Sequence, residues 1–184
     1  MDEMSIRTMV ARRARELGSR VDERAIELEF PDAEAAPGCR LFRASWGAGE
    51  REGALAGLIV DQDAPDTHPA RALAKIFRRW IETGGKLPDA NHVATVCAYL
   101  LEPPRRHHVI LDDADKIRLI EKIAWRSRVG LPQAIDRAGQ PGIAFWWVGP
   151  SSLSRMQVYL GEDGRIEFDE TLMRDVRDEG TAAL

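Results

Sequence analysis

The stretch that decides the fold is Thr67–Pro104, THPARALAKIFRRWIETGGKLPDANHVATVCAYLLEPP. Its pattern predicts two helices joined by a short glycine link. The hydroxyl of Thr67 is suited to cap the first helix, and Pro69 fits the first helical turn. The pair Gly84-Gly85 predicts the end of that helix, because glycine adopts the left-handed conformation at little steric cost.

Apolar residues recur along both predicted helices at the spacing of a single helical face. Asp89 is suited to cap the second helix, and Pro103-Pro104 predict its end, since proline lacks a backbone N–H. A bare pair of helices cannot cover two apolar faces by itself. We therefore expect this helical hairpin to pack across a β-sheet. The apolar positions are Ala70, Leu73, Ala74, Phe77, Trp80, Ile81, Val93, Val96, Cys97, Leu100 and Leu101.

The first helix carries basic residues on the side opposite its apolar face. Arg71, Lys75 and Arg78 lie there, and together they form a candidate binding surface for an acidic partner. The alternative interpretation is an ordinary solvated helix face.

Strand patterns lie on both sides of the hairpin. Before it, Ala25–Phe30 and Cys39–Trp46 alternate between apolar and polar residues, and a third, more apolar run follows. Short links between them predict an antiparallel three-strand meander. After it, three further strands are predicted in the C-terminal part. The third N-terminal run and the C-terminal strands are Ala54–Val60, Ile143–Val148, Met156–Leu160 and Arg165–Phe168.

The remaining segments are predicted to be mostly helical. Ser5–Leu17 and Asp112–Arg128 have amphipathic patterns, Leu131–Ala138 suggests one or two helical turns, and Thr171–Val176 suggests a last short helix. Arg105–Leu111 is predicted to contain a short strand.

This order of elements predicts an α+β fold, because runs of strands and runs of helices follow one another. We expect an antiparallel sheet, formed by the N-terminal meander and three C-terminal strands, that is covered by the central helical hairpin and further helices. The chain fits a single domain over residues 1–184, or two intimately packed halves, 1–104 and 105–184.

Composition limits the function classes. The net charge of −4 and the pI near 5.6 argue against general nucleic-acid binding. A local contact through the N-terminal arginines, such as Arg7, Arg12 and Arg13, is the weaker alternative. Residues 1–17 do not resemble a signal peptide, because these arginines and Arg15 interrupt them, so a cytoplasmic protein is expected. The excess of arginine over lysine suggests a bacterial source. Cys39 and Cys97 are expected to be buried free thiols.

A metal site is predicted by one cluster of potential ligands. His107 and His108 are followed closely by Asp112 and Asp113, and imidazole and carboxylate groups are zinc ligands. Neighbouring histidines on a strand point to opposite faces, so at most one faces a given site. The aspartates also suit the start of a helix. A second acidic run, residues 61–68, lacks the glycine of a calcium loop.

Two neighbouring tryptophans are the last candidate. Trp146 and Trp147 should point to opposite faces of their strand, and a ring that no helix covers would mark a contact surface.

No complete catalytic signature is present. The sequence therefore favours a non-enzymatic cytoplasmic binding or adaptor protein that acts through protein–protein contacts, with self-association as one version and without a cofactor. Its partner-binding residues would be Arg71, Lys75, Arg78, Trp146 and Trp147. The alternative is a small metal-dependent hydrolase that uses His107 or His108 with Asp112 or Asp113. No membrane contact is expected.

Overall fold

The chain has an α+β fold with antiparallel sheets. It forms two compact units, Met1–Gly85 with Tyr99–Pro104, and Lys86–Ala98 with Arg105–Leu184. The first division falls between Gly85 and Lys86, inside the predicted glycine link. The computed structural model describes residues 2–32, 34–47, 53–61, 63–101, 107–120, 123–149 and 152–175.

The first unit contains a three-stranded antiparallel sheet in the order β1-β2-β3, which confirms the predicted meander. Phe42 lies opposite Gly57, and Trp46 lies opposite Gly53. A Cβ atom on either glycine would come within 2.5 Å of the facing aromatic ring, so both glycines are required by close packing. The strands are β1 (Glu27–Glu29), β2 (Cys39–Trp46) and β3 (Gly53–Val60).

Helix α1 (Glu3–Glu16) covers one face of this sheet. The Asp2 side chain caps it by accepting a hydrogen bond from the Ser5 N–H. Its buried side chains pack with those of β2 and with a residue next to β1. The cluster contains Ile6, Val10, Ala11, Ala14, Ile26, Phe42, Ala44 and Trp46.

Helix α2 (Pro69–Gly84) contacts β3 in the same unit. Pro69 occupies the first turn and Gly85 adopts the left-handed conformation, as predicted. The capping residue, however, is His68 and not Thr67, and the His68 side chain makes no capping bond. The indole N–H of Trp80 donates to the carbonyl of Ala35 at 2.9 Å, which fixes α2 to the loop before β2.

Helix α3 (Ala90–Leu101) is the second predicted helix of the hairpin. The Asp89 carboxylate accepts from the N–H groups of Asn91 and His92, which confirms the predicted cap. The predicted stop at Pro103-Pro104 lies outside the described residues. The apolar stripe is buried at Val93, Ala94, Val96, Cys97 and Leu100.

The second unit contains a five-stranded antiparallel sheet. Its strand order is β4-β6-β7-β8. Strand β5 pairs with the first half of β6, on the same edge of β6 that pairs with β4 near its end. The strands are β4 (His108–Val109), β5 (Gln133–Arg137), β6 (Gln140–Val148), β7 (Ser152–Leu160) and β8 (Ile166–Asp175).

Three predictions for this unit are wrong. Residues 131–138 contain β5 instead of helical turns, and Ala138-Gly139, both with positive φ, form its tight hairpin turn to β6. The predicted helix over 112–128 is interrupted at Ile120, whose extended backbone places its side chain in a cluster with Trp146. The pieces are α4 (Asp113–Leu119) and α5 (Ile123–Arg126).

The third error concerns the C-terminal segment. Residues 171–175 continue β8 as a strand and do not form the predicted short helix. The pairing shifts at this point, because Leu153 faces Arg174 whereas Ser154 faces Leu172. Met173 is thus an extra residue in β8, and it breaks the alternation that a strand pattern requires.

Candidate functional site

The predicted basic surface of α2 is partly engaged within its own unit. Asp66 is only 6% exposed, and its carboxylate forms ion pairs with Arg71 Nη2 and with Lys75 Nζ, each at 3.2 Å. The backbone N–H of His68 donates to the same carboxylate. Arg71 and Lys75 therefore have a clear internal role as counter-ions of a buried charge. Their predicted binding role, and that of the exposed Arg78, stays a prediction.

Asp61, in the same acidic run as Asp66, also pairs with a basic residue of α2. Arg79 Nη2 lies 2.8 Å from Asp61 Oδ2, so both Asp61 and Asp66 are held by basic residues of α2. Cys39 lies beside Arg79, and burial of the Cys39 thiol raises its pKa. Both cysteines are free and buried, as predicted.

Trp146 and Trp147 point to opposite faces of the second sheet, and both are buried, at 8% and 4% exposure. Trp146 packs in a cluster with Ile110, Ile120, Val129 and Leu153. Because both faces of β6 are covered, neither ring provides the exposed surface that the sequence suggested. Their predicted partner-binding role has no exposed ring to support it.

The environment of Trp147 brings several polar groups together. His107 stacks on its ring with centroids 5.0 Å apart, and the indole N–H donates to Glu170 Oε1 at 3.2 Å. His107 Nε2 also lies 3.5 Å from Ser152 Oγ, at the outer limit of a hydrogen bond. The arrangement holds the ring of His107 against the sheet, while His108 is exposed.

The aspartates after the histidines stabilise α4. Asp112 caps the helix by accepting from the Asp115 N–H, and Asp113 pairs with Lys116 at 2.9 Å. Hydrogen bonds from Arg118 and from the backbone N–H of Leu111 lower the pKa of Asp115. Within the described ranges, no group of three or more His, Cys, Asp or Glu side chains is arranged to hold a metal ion. The metal site stays a prediction.

The N-terminal arginines are engaged with neighbouring groups of α1. Arg7 pairs with Glu3, while Arg12 and Arg13 both pair with Glu16. Each of these three cations thus has a carboxylate nearby, which weakens the case for a phosphate-binding surface on this helix.

Strand β8 carries the apolar surface that the sequence did not reveal. Phe168 is 56% exposed, Leu172 is 59% exposed and Met173 is 40% exposed. Phe168 and Leu172 point to the same face of the sheet, because they are four positions apart and successive side chains of a strand alternate between its faces. The carboxylates of Glu167, Asp169 and Glu170 lie on the same stretch of this strand, so the apolar side chains have acidic neighbours.

Strand β8 lies at one end of the strand order of the second sheet, as far as the described residues show. In the part of the chain that the structure describes, β7 is the one strand that pairs with β8. An edge strand presents unpaired N–H and C=O groups, which form a template for pairing with another chain. We therefore take the edge surface, defined as Phe168, Leu172 and the carboxylates of Glu167, Asp169 and Glu170, as the candidate functional site.

Comparison with known proteins adds no assignment: neither the family models, nor the curated proteins, nor the solved structures contain a match to this chain. Across the described residues, no helix has both the length and the apolar character needed to cross a membrane.

Proposed function

We propose that this protein is a non-enzymatic cytoplasmic binding protein that acts through protein–protein contacts made by the β8 edge surface. The observation that carries the proposal is the exposure of Phe168 and Leu172 on the outermost strand of the five-stranded sheet. An exposed edge strand with apolar side chains is a template for pairing with another chain.

The free energy available from burying these two side chains supports the choice of this surface. Full burial of a Phe or Leu side chain stabilises a complex by about 1.5 to 3 kcal/mol relative to exposure. More than half of each side chain is accessible in the free chain, so a partner that covers both would recover a large part of this energy. A few well-packed and fully desolvated residues near the centre of an interface carry most of its binding energy.

The proposal is tested by comparing capture of partner proteins by the wild type and by the double variant Phe168→Ser/Leu172→Ser. Ile117→Ser is the matched control, because Ile117 is 65% exposed but lies on α4. We expect the edge variant to lose a specific partner that both the wild type and the control retain. Equal capture by all three proteins would contradict the proposal.

Two further measurements separate the alternatives. Size exclusion with light scattering tests the self-association version, which a clean monomer at all concentrations would eliminate. Elemental analysis of protein that has never met a nickel column tests the metal-dependent hydrolase alternative with His107 or His108 and Asp112 or Asp113. A stoichiometric metal lost on substitution of these residues would favour the enzyme over the binding protein.

A further inference from the structure

We propose that β8 binds an extended basic segment of a different protein as an added strand of the sheet. This inference rests on the proposed function and specifies the partner and the mode of binding. Three properties of β8 carry it: the direction of its free backbone groups, the exposed apolar pair, and its negative charge.

The backbone groups follow from the hairpin between β7 and β8. The N–H of Gly161 donates to the carbonyl of Arg165 at 2.8 Å. Bonding alternates along an antiparallel ladder, so the backbone groups of Glu167, Asp169 and Thr171 face β7. Those of Phe168, Glu170 and Leu172 then face the free edge, where an incoming strand would bond to them. The extra residue Met173 ends this regular stretch.

The side chains make the same stretch selective. Phe168, Glu170 and Leu172 share one face of the sheet, and the Glu170 carboxylate is already held by the Trp147 indole. An added strand would therefore place apolar residues beside Phe168 and Leu172 on this face. Cross-strand pairs of aromatic and β-branched residues are favourable contacts.

The other face of β8 is acidic. Glu167 and Asp169 lie there, and Glu167 is 3.7 Å from Arg137 on β5. Asp169 has no ion-pair partner among the described residues. Lys or Arg on the corresponding face of an added strand would pair with these carboxylates. The fitting segment thus alternates apolar and basic residues, whether it runs parallel or antiparallel to β8.

A second copy of this chain is a poor occupant of the edge. In a continuous antiparallel sheet with a two-fold axis, residue pairs are symmetric about a central residue. Each such register centred between Glu167 and Glu170 inclusive places at least one carboxylate directly opposite another, since this stretch carries Glu167, Asp169 and Glu170. Like charges directly opposite each other destabilise strand pairing. The acidic edge therefore disfavours self-pairing and favours a basic partner.

The test uses capped synthetic peptides and the full chain. The probe is Lys-Val-Lys-Val-Lys-Val-Lys, and its controls are the Glu-Val counterpart and a scrambled peptide of the same Lys and Val content. We expect the alternating basic probe to bind, with affinity that falls as salt is added, and the Glu-Val peptide not to bind. If the scrambled peptide binds as tightly, recognition depends on charge alone and not on the alternating pattern, which would overturn the inference.

Two measurements address the strand itself. Methylation of alternate backbone nitrogens on the edge that meets β8 should weaken the probe by roughly tenfold or more, because it removes ladder hydrogen bonds. Amide exchange at Phe168, Glu170 and Leu172 should slow when the probe is present. Strand addition would be refuted if methylation of neither edge of the peptide lowered its affinity. It would also be refuted if the probe left amide exchange at these three residues unchanged.

Substitution of Asp169 tests the charge. Asp169→Arg should lower the affinity of the protein for the probe, whereas the matched control Asp113→Arg on α4 should leave that affinity unchanged. Equal effects of the two variants would refute recognition through the acidic face of β8.

If the Phe168→Ser/Leu172→Ser variant loses a captured protein that does not compete with the probe, the proposed function stands and the basic-strand inference fails. A dimer that this variant abolishes would identify a second copy as the occupant and would overturn the inference.

Discussion

Replacement of Asp66 gives the sharpest test of how the first unit is held together. The carboxylate is 6% exposed and meets three donors: the His68 N–H at 3.0 Å, Arg71 and Lys75. Asp66→Ala removes all three interactions at once. The backbone N–H of His68, at the start of α2, would lose its acceptor.

The expected loss of unfolding free energy follows from how exposed each partner of Asp66 is. A hydrogen bond to a charged group contributes about 1.5 to 3 kcal/mol. The two ion pairs are worth about 0.2 to 1 kcal/mol each, because the Arg71 side chain is 70% exposed and that of Lys75 is 40% exposed and both remain hydrated. We expect Asp66→Ala to lower the free energy of unfolding by about 3 kcal/mol. For a chain of this length, the melting temperature would fall by roughly 6 to 12 °C.

Matched variants distinguish this account from a general loss of packing. Asp66→Asn keeps an acceptor for His68 and should cost about half as much as Asp66→Ala. Arg71→Ala and Lys75→Ala should each cost less than about 1 kcal/mol, since the other cation still compensates the buried charge. The double variant should cost more than their sum, because it leaves that charge unpaired. Urea denaturation followed by tryptophan fluorescence measures all five variants, and a loss below about 1 kcal/mol for Asp66→Ala would refute the reasoning.

Three further predictions concern packing, pH and thiol chemistry. Gly57→Ala should destabilise the protein by about 1 to 3 kcal/mol in the same denaturation assay, because the new Cβ would meet the Phe42 ring; an unchanged midpoint would contradict this. Since contact with Arg118 lowers the pKa of Asp115, its stabilising effect is present above the unfolded pKa and is lost as pH falls through the folded pKa. Asp115→Asn should therefore be less stable than the wild type at pH 7, with the deficit narrowing in melts below about pH 4. Burial raises the pKa of the Cys97 thiol, so it should react with a thiol reagent on unfolding and not before; rapid labelling of the native protein would show that it is accessible.

The sequence predicted well those elements whose apolar period is regular. Helix α2 has a continuous apolar stripe and a glycine stop, and both appear in the structure. The meander was also predictable, because Phe42, Ala44 and Trp46 recur at every second position of β2 and pack in one cluster with α1. Local pattern is sufficient where one element buries one face.

Prediction failed where local irregularity or long-range packing decides the structure. The extra residue Met173 disrupts alternation in β8, so the end of that strand resembled a helix. Strand β5 has little apolar pattern because it is mostly exposed, and its pairing with β6 decides its conformation. The interruption at Ile120 depends on contact with Trp146, a residue distant in the chain.

The candidate site was missed for the same reason. Exposure of Phe168 depends on β8 being the outermost strand, and strand order is not encoded in a local period. Burial of both Trp146 and Trp147 likewise depends on what covers each face of β6. The charges of Arg71 and Lys75 were visible, but their buried counter-ion Asp66 was not distinguishable from a surface aspartate.

The aromatic rings of β2 also fix the alignment of β3. Phe42 and Trp46 each lie over a glycine of the neighbouring strand. A slip of two residues would set these rings against Leu55 or Ile59, where a branched side chain already occupies the space. The two ring–glycine pairs therefore fix the register of β2 and β3 by steric exclusion. Each pair should consequently vary as a unit: a larger residue at position 57 becomes acceptable only when position 42 becomes smaller.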